Sequence, residues 1–337
     1  MTVKVSKPVS STQTLMQIHL CFAPARVLAA GIQLDVFSHI AAGRRTVAAV
    51  AKAAGATERG VRMLLDALTG MQLLKKQGRC YRLVPLSRQY LVPSHPDYCG
   101  AILGDDTLWR NWTSLADVIR TGRPPARVDM RNKAEEFFPT LVRSLHVMNR
   151  VLAQRLARAL GAGVRYKGLQ VLDVACGSGV WGIAVAEADS QARVTAQDFP
   201  GLLALTRQYA RRHGVEKRFD FLGGDLKKID FGQDEFDVAL LGNIVHSEGE
   251  VSARNLFRRL HEALKPGGRI VIIDMIPDDQ RTAPPFALFF ALNMLVNTSR
   301  GDTYTFREYA AWLTQAGFKR IQTMDIGSHS PIIIGTR

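Results

Sequence analysis

Between residues 168 and 276 the chain alternates short apolar runs with amphipathic stretches, and the first run ends in a glycine-rich turn, Asp173-Val-Ala-Cys-Gly177-Ser-Gly179. LQVLDVAC, ARVTAQDF, RFDFLGGDL, FDVALLGNIVH and GRIVIIDMI read as strands, the last after a Pro266-Gly267-Gly268 turn. VWGIAVAEA, LLALTRQYARRHG and VSARNLFRRLHEAL read as the helices between them. Strands alternating with helices imply a parallel sheet wrapped on both faces. FREYAAWLTQAGF adds a helix, and KRIQTMDI with SPIIIGTR a closing pair of strands. The predicted fold class is α/β, with a mostly parallel seven-stranded sheet.

The part before it is of another kind. Leu15, Ile18, Phe22, Leu28, Ile32 and Val36 recur at helical steps, with Pro24 marking a break or a helix start. Thr46–Ala54 reads as a helix, Gly55 as a turn, Thr57–Thr69 as a second helix, and Leu73–Val84 as a hairpin around Gly78, which together predict a winged helix. Residues 94–135 read as irregular, apart from a helix carrying Trp109 and Trp112. Glu135–Leu160 reads as a long helix, apolar at Phe138, Leu141, Leu145, Met148, Leu152 and Leu156, and ended by Gly161 and Gly163. The expected domains are 1–93 (helical and winged helix, dimerising), 94–163 (helical linker and substrate lid) and 164–337 (the sheet).

A winged helix raises the question of nucleic acid, and so does the net charge of +14. Residues 1–150 hold 21 Lys/Arg against 10 Asp/Glu, whereas residues 151–337 hold 23 against 20. A recognition helix needs a free polar face to read base edges. In TERGVRMLLDALTGM only Arg59 and Arg62 serve, while Glu58 and Asp66 repel phosphate and Val61, Met63, Leu64, Leu65, Leu68 and Met71 cover more than one face. The helix therefore reads as one packed on two sides, and the pattern speaks against nucleic acid. No uninterrupted apolar run reaches the roughly 18 residues of a membrane span, and MTVKVSKPVSSTQTL has no apolar core or cleavage site of a signal peptide. Cys21, Cys80, Cys99 and Cys176 are scattered, with no CxxC and no clustered His, so neither metal nor disulfides are expected, and a reducing cytoplasm suits the thiols.

Ligands of open α/β sheets bind beyond the carboxyl ends of the strands. There the glycines let backbone amides approach a ligand, which a nucleotide phosphate would suit equally well. The acidic residues decide between the ligands. Asp198 closes the second strand 19 residues after Gly179, where a carboxylate accepts from both ribose hydroxyls, and Asp225 follows the third strand, placed for an adenine amino group. No Lys follows the glycines, and the spacing is DxAxGxG rather than GxGxxG. A nucleoside without phosphates that carries an amino acid fits better, and S-adenosylmethionine (SAM) is such a ligand.

LDVACGSG, the Asp198 strand end, GGDL at 223–226, NIVHSEGE at 243–250 and LKPGGRIVIIDMI at 264–276 together resemble the motifs of class I SAM-dependent methyltransferases. The order of a winged-helix dimerisation domain and then a Rossmann-like sheet is similar to that of the plant caffeate and bacterial antibiotic O-methyltransferases, from about residue 15 to the C-terminus. The resemblance implies a homodimer that moves a methyl group from SAM to a hydroxyl of a small-molecule acceptor. It implies a cofactor set of Asp173, Ala175, Gly177, Gly179, Asp198, Gly224, Asp225 and Leu226, with Ala175, Gly177 and Gly179 at the methionine end. His246 matches the general base and Asp274 the acid that orients it. A histidine titrates near neutrality and can take a hydroxyl proton.

The chain departs from that pattern at Ala175, where the family has glycine, at Ser247, where it has Asp, and at Thr303, where plant members carry a second Glu. These departures leave open a carbon, sulfur or nitrogen acceptor. A SAM-sensing DNA-binding regulator and a SAM-binding scaffold without activity are the rivals of other kinds. The expected acceptor pocket lies between the 136–150 helix and the 284–304 segment, with His146, Phe290, Asn293, Met294 and Asn297 as candidate contacts.

Overall fold

The computed structural model describes residues 11–125 and 131–337, with side chains from residue 138 onward in the second stretch. The signal-peptide reading of residues 1–10 and the side chains of the substrate helix before 138 lie outside the described residues. The chain divides into two compact units, one ending at Asp106 and the other running from Thr107 to Arg337.

The first unit opens with α1 (Thr12–Leu20) and α2 (Phe22–Gln33), which meet at Cys21. Pro24 stands in the first turn of α2, where its missing N–H costs no helical bond. After α3 (Val36–Ala41), α4 (Val47–Ala54) starts on Thr46, whose hydroxyl accepts the Ala49 N–H, and stops at Gly55 in the left-handed region. The next helix, α5 (Glu58–Gly70), starts on Thr57 in the same way, and β1 (Leu74–Gln77) with β2 (Cys80–Leu83) forms an antiparallel hairpin. The predicted order of helix, turn, helix and hairpin is thus present. Helices α6 (Pro85–Tyr90) and α7 (Gly100–Leu103) complete the unit around a core that includes Phe37, Val50, Leu65, Leu68, Leu74 and Tyr81.

One expectation for this unit needs correction. The buried residues of α5 are Val61, Leu65 and Leu68, a single stripe, and Met63 is 46% exposed, so within the chain the helix packs on one side only. Leu15, Ile18 and Phe22 are exposed at 57%, 51% and 43%. The stretch Thr12–Gln33 is apolar and long enough to cross a membrane by length and composition alone, and little of it is buried.

In the second unit, α8 (Thr107–Thr113), α9 (Leu115–Thr121) and the long α10 (Arg131–Ala159) precede the sheet. The chain then runs β3 (Gln170–Val174), α11 (Val180–Ala188), β4 (Arg193–Asp198), α12 (Pro200–Arg212), β5 (Phe219–Gly223), β6 (Phe236–Gly242), α13 (Val245–Glu248), α14 (Glu250–Ala263), β7 (Leu264–Ile273), α15 (Pro285–Asn297), α16 (Phe306–Gln315), β8 (Lys319–Met324) and β9 (Ile332–Thr336). The sheet has seven strands in the order β5-β4-β3-β6-β7-β9-β8, parallel except where β9 runs against both neighbours. Val171, Val194, Val238 and Val271 face one core, and Leu172, Ala239, Ile270 and Ile333 face the other. Helices cover both faces, and the central strands β3 and β6 are accordingly apolar and buried at most positions. From β3 the chain goes outward to β4 on one side, while β6 flanks β3 on the other, so the switch point lies above β3.

The structure departs from the sequence expectations in four places here. Residues 94–125 contain α7 and α9 besides the expected helix that carries Trp109 and Trp112, which is α8. Strand β6 stops at Gly242, so Val245 and His246 belong to the one-turn α13 and not to the strand. Pro266-Gly267-Gly268 is no turn before β7 but a register irregularity within it, between Leu264 and Arg269. The buried residues of α10 are Val142, Ser144, His146, Ala153, Leu156 and Ala157, while Met148 is 59% exposed. Helix α10 packs along α11, and closely approaching helices take small residues such as Ala153 and Ala157 at the contact.

Candidate active site

The glycine-rich loop is held from below. Asp173 is fully enclosed: one oxygen accepts the Gly182 N–H at 2.9 Å, tying β3 to the first turns of α11, and the other has no partner among the described residues. Burial, with the charge of Asp198 nearby, raises its pKa to about 7. Ala175, Gly177 and Gly179 take left-handed φ of 49°, 55° and 71°, and at Gly179 a Cβ would stand 2.8 Å from Thr206 Cγ2. Cys176 is buried, 3.5 Å from the Thr206 hydroxyl, and burial holds its thiol well above the ordinary range. A thiol kept protonated fills the turn and is no nucleophile.

The end of β4 reaches over this loop. Asp198 accepts the Gly177 N–H at 2.8 Å and the Phe199 N–H at 2.7 Å. Its side chain is nearly buried and has no cation against it among the described residues. Desolvation therefore raises its pKa to about 6, against the lowering effect of the two amides. A buried carboxylate without a counter-charge, beside a loop of left-handed residues at the switch point, fits a ligand that brings hydroxyls and a positive centre. SAM has both. At the end of β5, Gly224 donates to the Asp198 carbonyl at 3.0 Å, the half-buried Asp225 caps Lys227 N at 2.9 Å, and Leu226 turns into the sheet's second core.

Across β6 lies a second constellation. Asp274, just past β7, accepts from His246 Nδ1 at 2.6 Å, from the His246 backbone N–H at 3.1 Å, from Met275 N at 2.8 Å and from the Tyr309 hydroxyl at 3.0 Å. A carboxylate on Nδ1 places the proton there and leaves the Nε2 lone pair bare. His246 is 7% exposed, and its ring meets Phe290 edge-on with centroids 4.9 Å apart. Asn243, just before it, holds a left-handed φ of 60°, a strained non-glycine conformation of the kind that clusters at functional sites. Burial and the Asp274 charge hold the Tyr309 phenol well above its ordinary range, so it stays a donor. Tyr309 and Gln197, described below, escaped the sequence reading.

The candidate acceptor contacts divide. Phe290 stands beside His246, and Met294 is buried one turn on. Asn297 is tied to Asn111 at 2.7 Å and to the Asn293 side chain at 3.1 Å, and Trp112 Nε1 donates to Asn293 at 3.2 Å. The two asparagines thus join α15 to α8. His146 is not with this group. Its ring stacks on Tyr209 at 3.8 Å, and its nitrogens meet Ser178 at 3.0 Å and His213 at 3.3 Å. Thr303 is fully buried, and its hydroxyl has no partner among the described residues. Where the family pattern has Asp after the histidine, Ser247 bonds back to the Ile244 carbonyl, and the next residue, Glu248, accepts from Ser252.

Comparison with known proteins agrees with this geometry. The family model described as O-methyltransferase domain matches residues 112–319, and that of the O-methyltransferase dimerisation domain matches residues 16–93. The chain is 28% identical to the tetracenomycin polyketide synthesis 8-O-methyl transferase of Streptomyces glaucescens, over 96% of each chain. It is 30% identical to acetylserotonin O-methyltransferase of Homo sapiens, over 91% of this chain and 92% of that one. The solved structure of human N-acetylserotonin methyltransferase in complex with SAM matches with a TM-score of 0.83 at 25% identity, covering 98% of this chain and 99% of the other. The structure of PigF with S-adenosylhomocysteine shares the fold, with a TM-score of 0.85 at 21% identity and coverage of 97% and 99%.

Proposed function

The chain belongs to the O-methyltransferase family, a group of SAM-dependent enzymes that act on hydroxyl groups of small molecules, and from that premise we propose that His246 is its general base and an aromatic hydroxyl its acceptor. The observation that carries the reading is the 2.6 Å bond from His246 Nδ1 to Asp274, which leaves Nε2 free to take a proton. When bound, SAM supplies an electrophilic methyl on a sulfonium sulfur. Nε2 removes the acceptor's proton as the oxygen lone pair forms the O–CH3 bond, and the C–S bond electrons stay on the departing sulfur. Asp274 compensates the charge that forms on the imidazole, and the remaining contribution is alignment in a cleft away from water.

Phe290 at the histidine's edge supports a planar aromatic acceptor, whose phenolic proton is acidic enough for an imidazole to remove. Two of the relatives named above are O-methyltransferases by name, one of tetracenomycin polyketide synthesis and one of acetylserotonin. Asp198 is assigned to the ribose, Gly224–Leu226 to the adenine, and Ala175, Gly177 and Gly179 to the methionine end. Asp173, whose oxygens are enclosed, supports the loop rather than touching the ligand. The exposed stripe of Leu15, Ile18 and Phe22, within the span matched by the dimerisation model, supports a homodimer. The scattered cysteines, none of which forms a disulfide among the described residues, fit a cytoplasmic setting. Arg62 and Lys76 are both held by Asp66, at 3.2 and 2.7 Å, which takes two cations from any nucleic-acid contact.

The test is incubation of wild type and His246→Gln with SAM and a panel of naphthols and hydroxyindoles, followed by mass spectrometry. A methylated phenol whose formation falls roughly 100-fold in the variant is expected, with SAM binding intact. Equal product from the variant would remove His246 from the chemistry, and methyl on carbon, sulfur or nitrogen would reassign the acceptor.

A further inference from the structure

Gln197 immediately precedes Asp198 in β4, and its position faces the inside of the fold, where the side chain is 1% exposed. Its Oε1 accepts the Ala175 N–H at 3.2 Å, and its Nε2 donates to the Gly224 carbonyl at 2.9 Å. An amide with an N–H on one side and a C=O on the other can be placed only one way round. The main chain adds to this grip. Gln197 O accepts the Cys176 N–H at 2.9 Å, and Asp198 O accepts the Gly224 N–H at 3.0 Å. Two consecutive residues therefore hold both the loop after β3 and the loop after β5, and Gln197 joins the two through one side chain.

Ala175 gives this link a reason. Its φ of 49° lies in the region that a Cβ disfavours and that glycine enters without penalty. An alanine there stays in place only if its surroundings over-determine it. The Ala175 N–H, fixed by Gln197 Oε1, is the bond that holds it.

We propose that Gln197 is a positioning residue of the SAM site, which clamps the glycine-rich loop to the adenine loop and holds Ala175 in its left-handed conformation. The proposal rests on the assignment of these two loops to the methionine and adenine ends of SAM. Gln197 touches neither end. It sets the distance between the residues that do.

The test is calorimetric titration of the full chain with SAM and with S-adenosylhomocysteine. Gln197→Met keeps the volume and removes both bonds, and affinity for both ligands falls roughly tenfold, as expected for two buried main-chain groups left without partners. Measured against Ala175→Gly alone, whatever that change itself does to affinity, Gln197→Met costs only about threefold, because glycine needs no clamp to hold the turn. No loss on Gln197→Met, or the same loss in both backgrounds, overturns the proposal. Should Gln197→Met not fold, amide hydrogen exchange on the ligand-free wild type decides: the Ala175 amide exchanges as slowly as its neighbours in β3, and rapid exchange overturns the clamp. Failure of wild type to bind either ligand is a different result, which would refute the loop assignment and not the clamp alone.

Discussion

Tyr309 donates its phenol to Asp274 across 3.0 Å, from a helix on the far side of the strand-end loops that carry the rest of the His246 site. The other donors to that carboxylate are His246 itself and the adjacent Met275 amide. Helix α16, which brings Tyr309, is fixed at its start by a capping box between Thr305 and Glu308, and the ring packs against Phe257, Tyr304 and Trp312. Tyr309→Phe keeps that packing and removes one donor to a buried charge. Turnover should fall roughly tenfold, the equivalent of about 1.4 kcal/mol, with SAM affinity unchanged. Steady-state kinetics with calorimetry check it, and a loss of SAM affinity of the same size would assign Tyr309 to the fold instead.

Asp173 is expected to cost the ligand-free protein stability at neutral pH. Its pKa of about 7 lies above the ordinary value, chiefly from burial, so the folded chain holds this proton more tightly than the unfolded one. Stability then falls as pH rises from about 4 through 7 and stays at the lower level above. Asp173→Asn keeps an oxygen for the Gly182 N–H and removes the slope. Scanning calorimetry should show Tm raised by about 5 °C at pH 8, of the order of ~2 kcal/mol, and unchanged at pH 4. An equal gain at both pH values would mean that the charge is not the cause.

Much of this was legible in the sequence because apolar runs buried on both faces leave an unmistakable trace. The strands β3 to β7 end where glycines, Asp198 and Asp274 stand, and the residue pair His246 and Asp274 was readable from the resemblance before any distance was known. What escaped depends on partners distant along the chain. Tyr309 reads as one apolar position of an amphipathic helix, and only the fold brings it to Asp274, 35 residues earlier. Gln197 did leave a signal, a polar residue at an inward position of an apolar strand. His146 sits on the buried side of α10 with Val142, Ala153, Leu156 and Ala157, a side that the leucine pattern marks only at Leu156.

The exposed face of α1 offers a test of assembly. Leu15, Met16 and Ile18 are all more than half exposed, and large apolar side chains grouped in this way mark an interaction surface. Leu15→Glu with Ile18→Glu places two charges on that face. Light scattering should give twice the 37.2 kDa chain mass for wild type and the single mass for the double variant. A wild-type protein at the single mass would dismiss the homodimer, and an unchanged double variant would move the interface elsewhere.

On the proposed ribose assignment, Asp198 should make SAM binding sensitive to acid. The carboxylate would accept the two ribose hydroxyls in its charged form, and its pKa of about 6, raised by desolvation, places the loss of that charge just below neutrality. One pH unit below this value about one molecule in eleven keeps the charge, so affinity should fall roughly tenfold between pH 8 and pH 5. The sign follows from burial: an exposed aspartate would remain ionised over this range and give a flat profile. Asp198→Asn should bind SAM more than tenfold more weakly at pH 8 and lose the dependence, because its neutral amide has no charge to titrate. Calorimetric titrations at both pH values, on both proteins, separate the contributions. A wild-type affinity that does not change with pH would mean that the carboxylate stays charged against the Gly177 amide, while a variant that keeps the acid loss would assign it to another group, with Asp173 the nearest buried carboxyl.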